Sequence, residues 1–207
     1  MKFFDWFRKK QFVPHRSTDE AQLPPKARKR DVDFLIASIS NLAEDHCAFE
    51  TKAQAVARQL DGPFVLKELE DRLHSPTKPP DRFDYPQRGF GVWLAYWQRA
   101  IFEILFHYRE RAIPFLRRVG FGEYDWTQAN AIAILCRLAA EGIERFSTLD
   151  ALRREFPDFR FEAQLYIVQD LETAASRDNS VADVVRELRD LPEWREALLE
   201  LRGDGAK

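Results

Sequence analysis

The chain has 207 residues, of which 45% are hydrophobic and 32% are charged, and its formal net charge is -2. This length predicts one domain of moderate size or a short stack of helical repeats, with enough core to fold unaided. Its two cysteines, Cys47 and Cys136, lie in apolar helical contexts, which excludes a disulfide framework and predicts two small buried side chains.

The first 30 residues differ in charge from the rest of the chain. They carry nine Lys or Arg and three Asp or Glu, whereas the remainder carries 23 basic and 31 acidic residues. Residues 1–12 contain no continuous apolar stretch, so we expect no signal peptide and a cytoplasmic protein. Residues 13–30 are polar and rich in proline, which predicts a linker. We therefore predict a flexible basic N-terminal segment over residues 1–30 and a single all-α domain over residues 31–207.

The aromatic residues at the N-terminus allow two interpretations. Phe3, Phe4, Trp6 and Phe7 precede a run of cations, a pattern typical of an interfacial anchor on anionic headgroups. Alternatively, these side chains dock on the helical body, and this is the interpretation we favour. Weak membrane association through residues 1–12 stays open as an alternative, in which the protein is a peripheral adaptor.

Three amphipathic helices are predicted after the linker. We expect Asp31 to cap the first, which runs to about Glu44 and turns Phe34 towards the core. The second helix has the clearest period, and its apolar residues are Phe49, Ala53, Val56, Ala57 and Leu60. A third follows Gly62 and Pro63 and ends before a proline-rich break over residues 75–91.

The segment from Val92 to Tyr108 predicts the most buried helix of the chain. Apolar residues recur at three- and four-residue steps, at Trp93, Leu94, Trp97, Ala100, Ile101, Ile104, Leu105 and Tyr108. Only a narrow polar stripe remains, formed by Gln98, Arg99, Glu103 and His107. The run is shorter than the ~20 apolar residues of a membrane span and carries charges, so we interpret it as a core helix.

The next segment predicts an antiparallel pair of helices. Pro114 suits a first helical turn, Gly120 and Gly122 interrupt the chain, and Asp125 can cap an alanine-rich second helix. This order resembles one unit of the HEAT and armadillo-like helical repeats, over about residues 109–142. The family's second helix usually begins Val-Arg.

Thr127 and Gln128 stand at those two positions here, so the ladder of Asp and Arg residues that links successive repeats is missing. The resemblance implies an irregular HEAT-like stack of about eight or nine helices. Members of this family mostly present surfaces to partners.

Residues 159–168 are ambiguous between helix and strand. Apolar residues alternate as in a strand, yet Phe161, Leu165, Val168 and Leu171 also step as in a helix. We predict a helix, because the neighbouring elements are all helical and a lone strand would have no partner. From Asp150 to Asp204 the chain holds 14 acidic residues and eight Arg, which argues against nucleic-acid binding and favours a cationic partner.

No motif fixes a reaction. The four histidines are scattered without the spacing of a metal site, and no nucleotide-binding or nucleophile motif occurs, so we predict neither metal nor cofactor. Glu103 and His107 form the best acid-base pair, and an enzyme built on this dyad is the weaker alternative. A polar stripe that faces a neighbouring helix is the interpretation we favour.

The turn between the two helices of the predicted antiparallel pair is the predicted partner-binding site. Turns at one edge of a helical stack collect partner contacts, and an aromatic residue beside carboxylates is typical of an interface anchor. The predicted contact residues are Glu123, Tyr124, Asp125, Trp126 and Gln128. We therefore expect a non-catalytic protein-binding module, an inhibitor or immunity protein that masks the basic active site of a bacterial toxin.

Overall fold

A computed structural model of the chain describes residues 26–60, 62–83, 89–123 and 125–203, with the backbone alone for residues 26–31 and Phe83. Ten α-helices pack together there, and the described residues contain no strand. The helices are α1 Lys26–Ser40, α2 His46–Gln59, α3 Val65–Glu70, α4 Gly89–His107, α5 Ile113–Gly120, α6 Gln128–Ala140, α7 Arg145–Glu155, α8 Phe161–Ala175, α9 Asn179–Arg186 and α10 Pro192–Leu201.

The predicted all-α class is confirmed, and the arrangement is compatible with a helical stack. Ten helices are present in the described residues, where about eight or nine were expected. Three of them, α3, α5 and α9, have only six to eight residues.

The start of α1 differs from the prediction. The helix begins at Lys26, so Asp31 lies inside it instead of capping it. Phe34 is 72% exposed, because the buried stripe of α1 consists of Val32, Leu35, Ile36 and Ile39, and Phe34 lies about 200° around the helix from Val32. The predicted aromatic contact residues Phe3, Phe4, Trp6 and Phe7 lie outside the described residues.

Helix α4 is the centre of the first of two hydrophobic clusters. It packs against α1, α2 and α6, and Trp93 and Trp97 are fully buried. Each indole N–H donates to a backbone carbonyl, Trp93 to Thr77 at 2.9 Å and Trp97 to Arg72 at 2.8 Å. These hydrogen bonds satisfy the one polar atom of each indole ring, so the ring can be buried without an unpaired donor. No helix of the described residues is both long enough and apolar enough to cross a membrane.

Helix α6 lies between the two clusters. One face contributes Ala131, Ile134, Leu135 and Leu138 to the first cluster, and the other contributes Ala129, Ile132, Cys136 and Ala139 to the second. The helix ends at Ala140, and two residues later Gly142 has a φ of 85° and the Ile143 N–H donates to the Leu138 carbonyl. This left-handed C-cap closes the helix before α7.

The second cluster is built by α7 to α10 against α6. The ambiguous segment is helical, since it forms α8, and this prediction is confirmed. The buried residues of α8 are Ala163, Gln164, Ile167, Val168 and Leu171. Phe156 and Trp194 pack with ring centroids 5.4 Å apart, and both are fully buried.

The two cysteines have different environments. Cys136 is buried, as expected, whereas Cys47 is exposed at the start of α2. The prediction for Cys47 is therefore wrong, because the buried face of α2 is set by Phe49, Ala53, Val56 and Ala57.

Candidate functional site

The turn between α5 and α6 is closed by Asp125. Its carboxylate accepts from both the N–H and the hydroxyl of Thr127 at 2.5 Å. The same carboxylate lies 3.4 Å from His74 Nε2. Asp125 thus orders the chain just before α6 and joins it to the segment after α3.

Gln128 does not extend the predicted contact surface. Its side chain is 3% exposed, and its amide nitrogen donates to the Gly120 carbonyl at 3.1 Å. Gln128 therefore stabilises the packing of α5 against α6 from the inside and is unavailable to a partner in this conformation. Tyr124 lies outside the described residues.

Trp126 is half-buried and packs against Tyr166 of α8, with the two rings edge to face and their centroids 5.3 Å apart. Tyr166 is itself 39% exposed. Partial burial, with a smaller contribution from Glu162, raises the pKa of the Tyr166 hydroxyl. The turn therefore presents an aromatic pair assembled from two parts of the chain that are 40 residues apart in sequence.

Two exposed carboxylates accompany this pair. Glu123 precedes Trp126 in the turn, and Glu162 lies one helical turn before Tyr166 on α8. Neither carboxylate forms an ion pair within the described part of the chain. We call Glu123, Trp126, Glu162 and Tyr166 the aromatic-acidic surface. The turn half was predicted, whereas Glu162 and Tyr166 were missed, because no local pattern indicates that α8 lies beside this turn.

Two acidic residues in the C-terminal part of the chain each bind more than one donor. Glu172 accepts from Arg189 at 2.9 and 2.5 Å and from the Trp194 indole at 3.1 Å. Glu187 accepts from Arg145 at 2.7 Å and Arg153 at 2.9 Å, and these hydrogen bonds lower its pKa. The charges of Glu172 and Glu187 are therefore compensated by neighbouring arginines.

The Glu103 carboxylate is paired with Arg137 of α6. Two hydrogen bonds of 2.6 and 2.9 Å join the side chains, and Glu103 is 5% exposed. His107 Nε2 lies 3.9 Å from Glu103, beyond hydrogen-bond distance. Burial lowers the pKa of His107, against the influence of Glu103 and with that of Arg137, so the ring is neutral at neutral pH. Among the described residues, the hydrogen-bonded partner of the Glu103 carboxylate is thus Arg137, not His107.

An open cavity of about 840 Å³ lies beside this pair, between α2, α4, α6, α8 and the start of α9. We call it the polar cleft. Its polar lining residues are His46, Glu50, Arg99, Glu103, Asn130, Arg137, Asp170, Thr173, Arg177, Asp178 and Asn179. The polar cleft was not predicted from the sequence, although Arg137, a lone cation in an apolar helix, was a signal of a buried partner.

Asp170 stands apart among the acids of the polar cleft. Its side chain is exposed, although desolvation by the neighbouring helices raises the pKa of its carboxyl, while Arg99 acts in the opposite direction. No hydrogen bond or ion pair joins Asp170 to another described residue. Its charge is therefore left uncompensated at short range.

The described residues contain no group of three His, Cys, Asp or Glu side chains arranged to hold a metal ion. Comparison with family models, with curated proteins and with solved structures finds no match to this chain.

Proposed function

We propose that this chain is a non-catalytic protein-binding module whose partner presents a basic surface. The observation that carries the proposal is the aromatic-acidic surface, where Trp126 and Tyr166 pack together beside the unpaired carboxylates of Glu123 and Glu162. Aromatic rings supply contact area at a small entropic cost, and unpaired carboxylates steer and orient a cationic partner.

The contacts that hold this surface together support the proposal. Asp125 fixes the turn through Thr127, and α8 holds Tyr166 from the other side. A surface that is ordered before binding loses little conformational entropy when a partner docks. An irregular HEAT-like stack that offers the turn at one of its edges is the arrangement we propose.

The specific role we propose is that of an inhibitor or immunity protein. A toxin that acts on an anionic substrate has a cationic active site, and Glu123 and Glu162 would pair with its Lys or Arg residues while the aromatic rings exclude water. The proposed partner is therefore another protein, not a nucleic acid.

Site-specific photo-crosslinking tests the proposal. A photoreactive amino acid replaces Glu162 in the full chain, and a matched variant carries it at Arg186, an exposed position of α9. We expect a discrete protein adduct at position 162, with a partner whose surface is basic, and none at position 186. Glu123→Gln combined with Glu162→Gln should weaken the complex roughly tenfold, in line with loss of exposed charge pairs at an interface.

An adduct of equal yield at both positions, or complex formation unchanged in the double variant, would exclude the aromatic-acidic surface as the contact. For the inhibitor role, the captured partner's activity should be suppressed by the wild-type chain and restored when the double variant replaces it. A partner that retains full activity in the complex contradicts that role.

A further inference from the structure

The polar cleft contains one acidic and one basic side chain that the protein leaves without a partner. Asp170 lies on α8, and Arg177 follows two residues after the end of that helix. Within the described ranges, neither side chain forms a hydrogen bond or an ion pair. They are seven residues apart in sequence, both are exposed, and both line the polar cleft.

The other charges of the polar cleft are already engaged. Arg137 is bound by Glu103 and lies 3.8 Å from Glu50. Arg99 donates to the Ala43 carbonyl at 3.1 Å. Arg137 and Arg99 therefore already have partners within the protein.

Asp178 is engaged in the same way. It caps α9 by accepting from the N–H of Ser180 at 2.8 Å and from its hydroxyl at 2.6 Å, and these bonds lower its pKa. Asp170 and Arg177 are thus the two charged lining residues left open to a ligand.

The space between the two charges suits a small polar molecule. Asn130 and Asn179 supply amides, and Phe102, Ile134 and Val181 supply apolar wall. A volume of about 840 Å³ lies within the range of roughly 300–1,000 Å³ usual for small-molecule sites. Polyanions such as nucleotides are disfavoured, because the lining holds four carboxylates, from Glu50, Glu103, Asp170 and Asp178, against three arginines.

We propose that the polar cleft binds a small zwitterion of the amino-acid or short-peptide class, with its ammonium group on Asp170 and its carboxylate on Arg177. A guanidinium group matches a carboxylate with two parallel hydrogen bonds, and the ammonium group would compensate the Asp170 carboxylate, which has no partner within the described residues. A ligand with only one charged group would leave either Asp170 or Arg177 unpaired. This site is separate from the aromatic-acidic surface.

A series of glycine peptides measures the charge separation directly. Glycine, diglycine and triglycine carry the same two termini at increasing distance, at most about 3.5 Å per residue. Titration of the full chain, followed by calorimetry or by amide chemical shifts, should give saturable binding that tightens towards the length that spans both side chains. N-acetyl-triglycine lacks the ammonium group and triglycinamide lacks the carboxylate, so each should bind roughly tenfold more weakly than triglycine.

Two variants assign the ends of the ligand. Asp170→Asn should abolish the advantage of triglycine over the N-acetylated peptide, and Arg177→Gln should abolish its advantage over the amide. Since Asp170 has no partner to lose, Asp170→Asn should fold with an unchanged or higher Tm, so weaker binding cannot be ascribed to unfolding. Glu162→Gln is the matched control outside the cleft, and it should leave peptide binding unchanged.

Absence of saturable binding by all three peptides overturns the proposal, as does binding that is insensitive to capping of either terminus. Loss of peptide binding in Asp170→Asn with retention of the protein complex separates this site from the proposed partner surface. The reverse pattern, in which only Glu162→Gln affects peptide binding, also contradicts it.

Discussion

Glu103 of α4 and Arg137 of α6 form a bidentate ion pair in the interior of the molecule, with hydrogen bonds of 2.6 and 2.9 Å. The Arg137 guanidinium also lies over the Phe106 ring, 4.0 Å from its centroid. One cation therefore joins the most apolar helix of the first cluster to the helix that both clusters share. The pair borders the polar cleft, so it also shapes one wall of the candidate ligand site.

Removal of one member of this pair should be strongly destabilising. Arg137→Met leaves the Glu103 carboxylate buried without its partner, and we expect the free energy of unfolding to fall by about 3–5 kcal/mol. Urea denaturation followed by circular dichroism measures this change.

The double variant Glu103→Leu with Arg137→Met is the control, since it removes both charges and fills the same space with apolar side chains. It should recover most of the lost stability. If both variants are equally unstable, packing at these positions, and not the uncompensated charge, accounts for the loss.

Gly122 should be intolerant of a side chain. A Cβ atom there would lie 2.4 Å from the Arg118 carbonyl oxygen, and backbone cannot move aside as a flexible side chain can. We expect Gly122→Ala to lower the free energy of unfolding by about 1–3 kcal/mol.

Gly91 provides the matched comparison, because nothing lies within 4 Å of a Cβ built on it in α4. Gly91→Ala should be neutral or stabilising by up to about 1 kcal/mol, as alanine favours a helix. Chemical denaturation of the two variants in parallel gives both values, and equal effects would show that the hairpin turn can relax.

The two thiols should differ sharply in reactivity. Cys47 is exposed, whereas burial raises the pKa of Cys136 to about 12. A chromogenic disulfide reagent should therefore titrate one thiol in the native protein and two in urea. Cys47→Ser should leave no rapidly reacting thiol, and rapid native labelling of that variant would contradict the burial of Cys136.

His107 should contribute to acid sensitivity. Burial lowers its pKa below the ordinary value of 6.5, with Glu103 opposing the shift and Arg137 adding to it. The unfolded chain then binds the proton more readily, so the contribution of neutral His107 to stability is present above about pH 6.5 and is lost as the pH falls towards the lower folded pKa.

His107→Gln should flatten the stability profile in that acidic window. The measurement is the free energy of unfolding of both proteins at a series of pH values. A difference between them that does not vary across the window would show that the ring does not titrate on unfolding.

The sequence by itself determined the helices, because their signals are local. The apolar period of residues 92–108, the proline and glycines around α5 and the alanine-rich run of α6 each lie within one segment. The prediction of a helix at α8 was also correct, because it relied on the helical spacing of apolar residues within that segment. The start of α1 was misplaced, since a polar sequence gives no periodicity from which to detect a helical end.

Only the tertiary structure decided which polar groups meet. Arg137 is 34 residues from Glu103, and Tyr166 is 40 residues from Trp126, so no spacing in the chain could reveal either pair. The same is true of the polar cleft, whose walls come from five helices. Helix formation depends on neighbours within a few turns of the same segment. Side-chain partners depend on how helices far apart in sequence pack together, and both candidate sites are built from such partners.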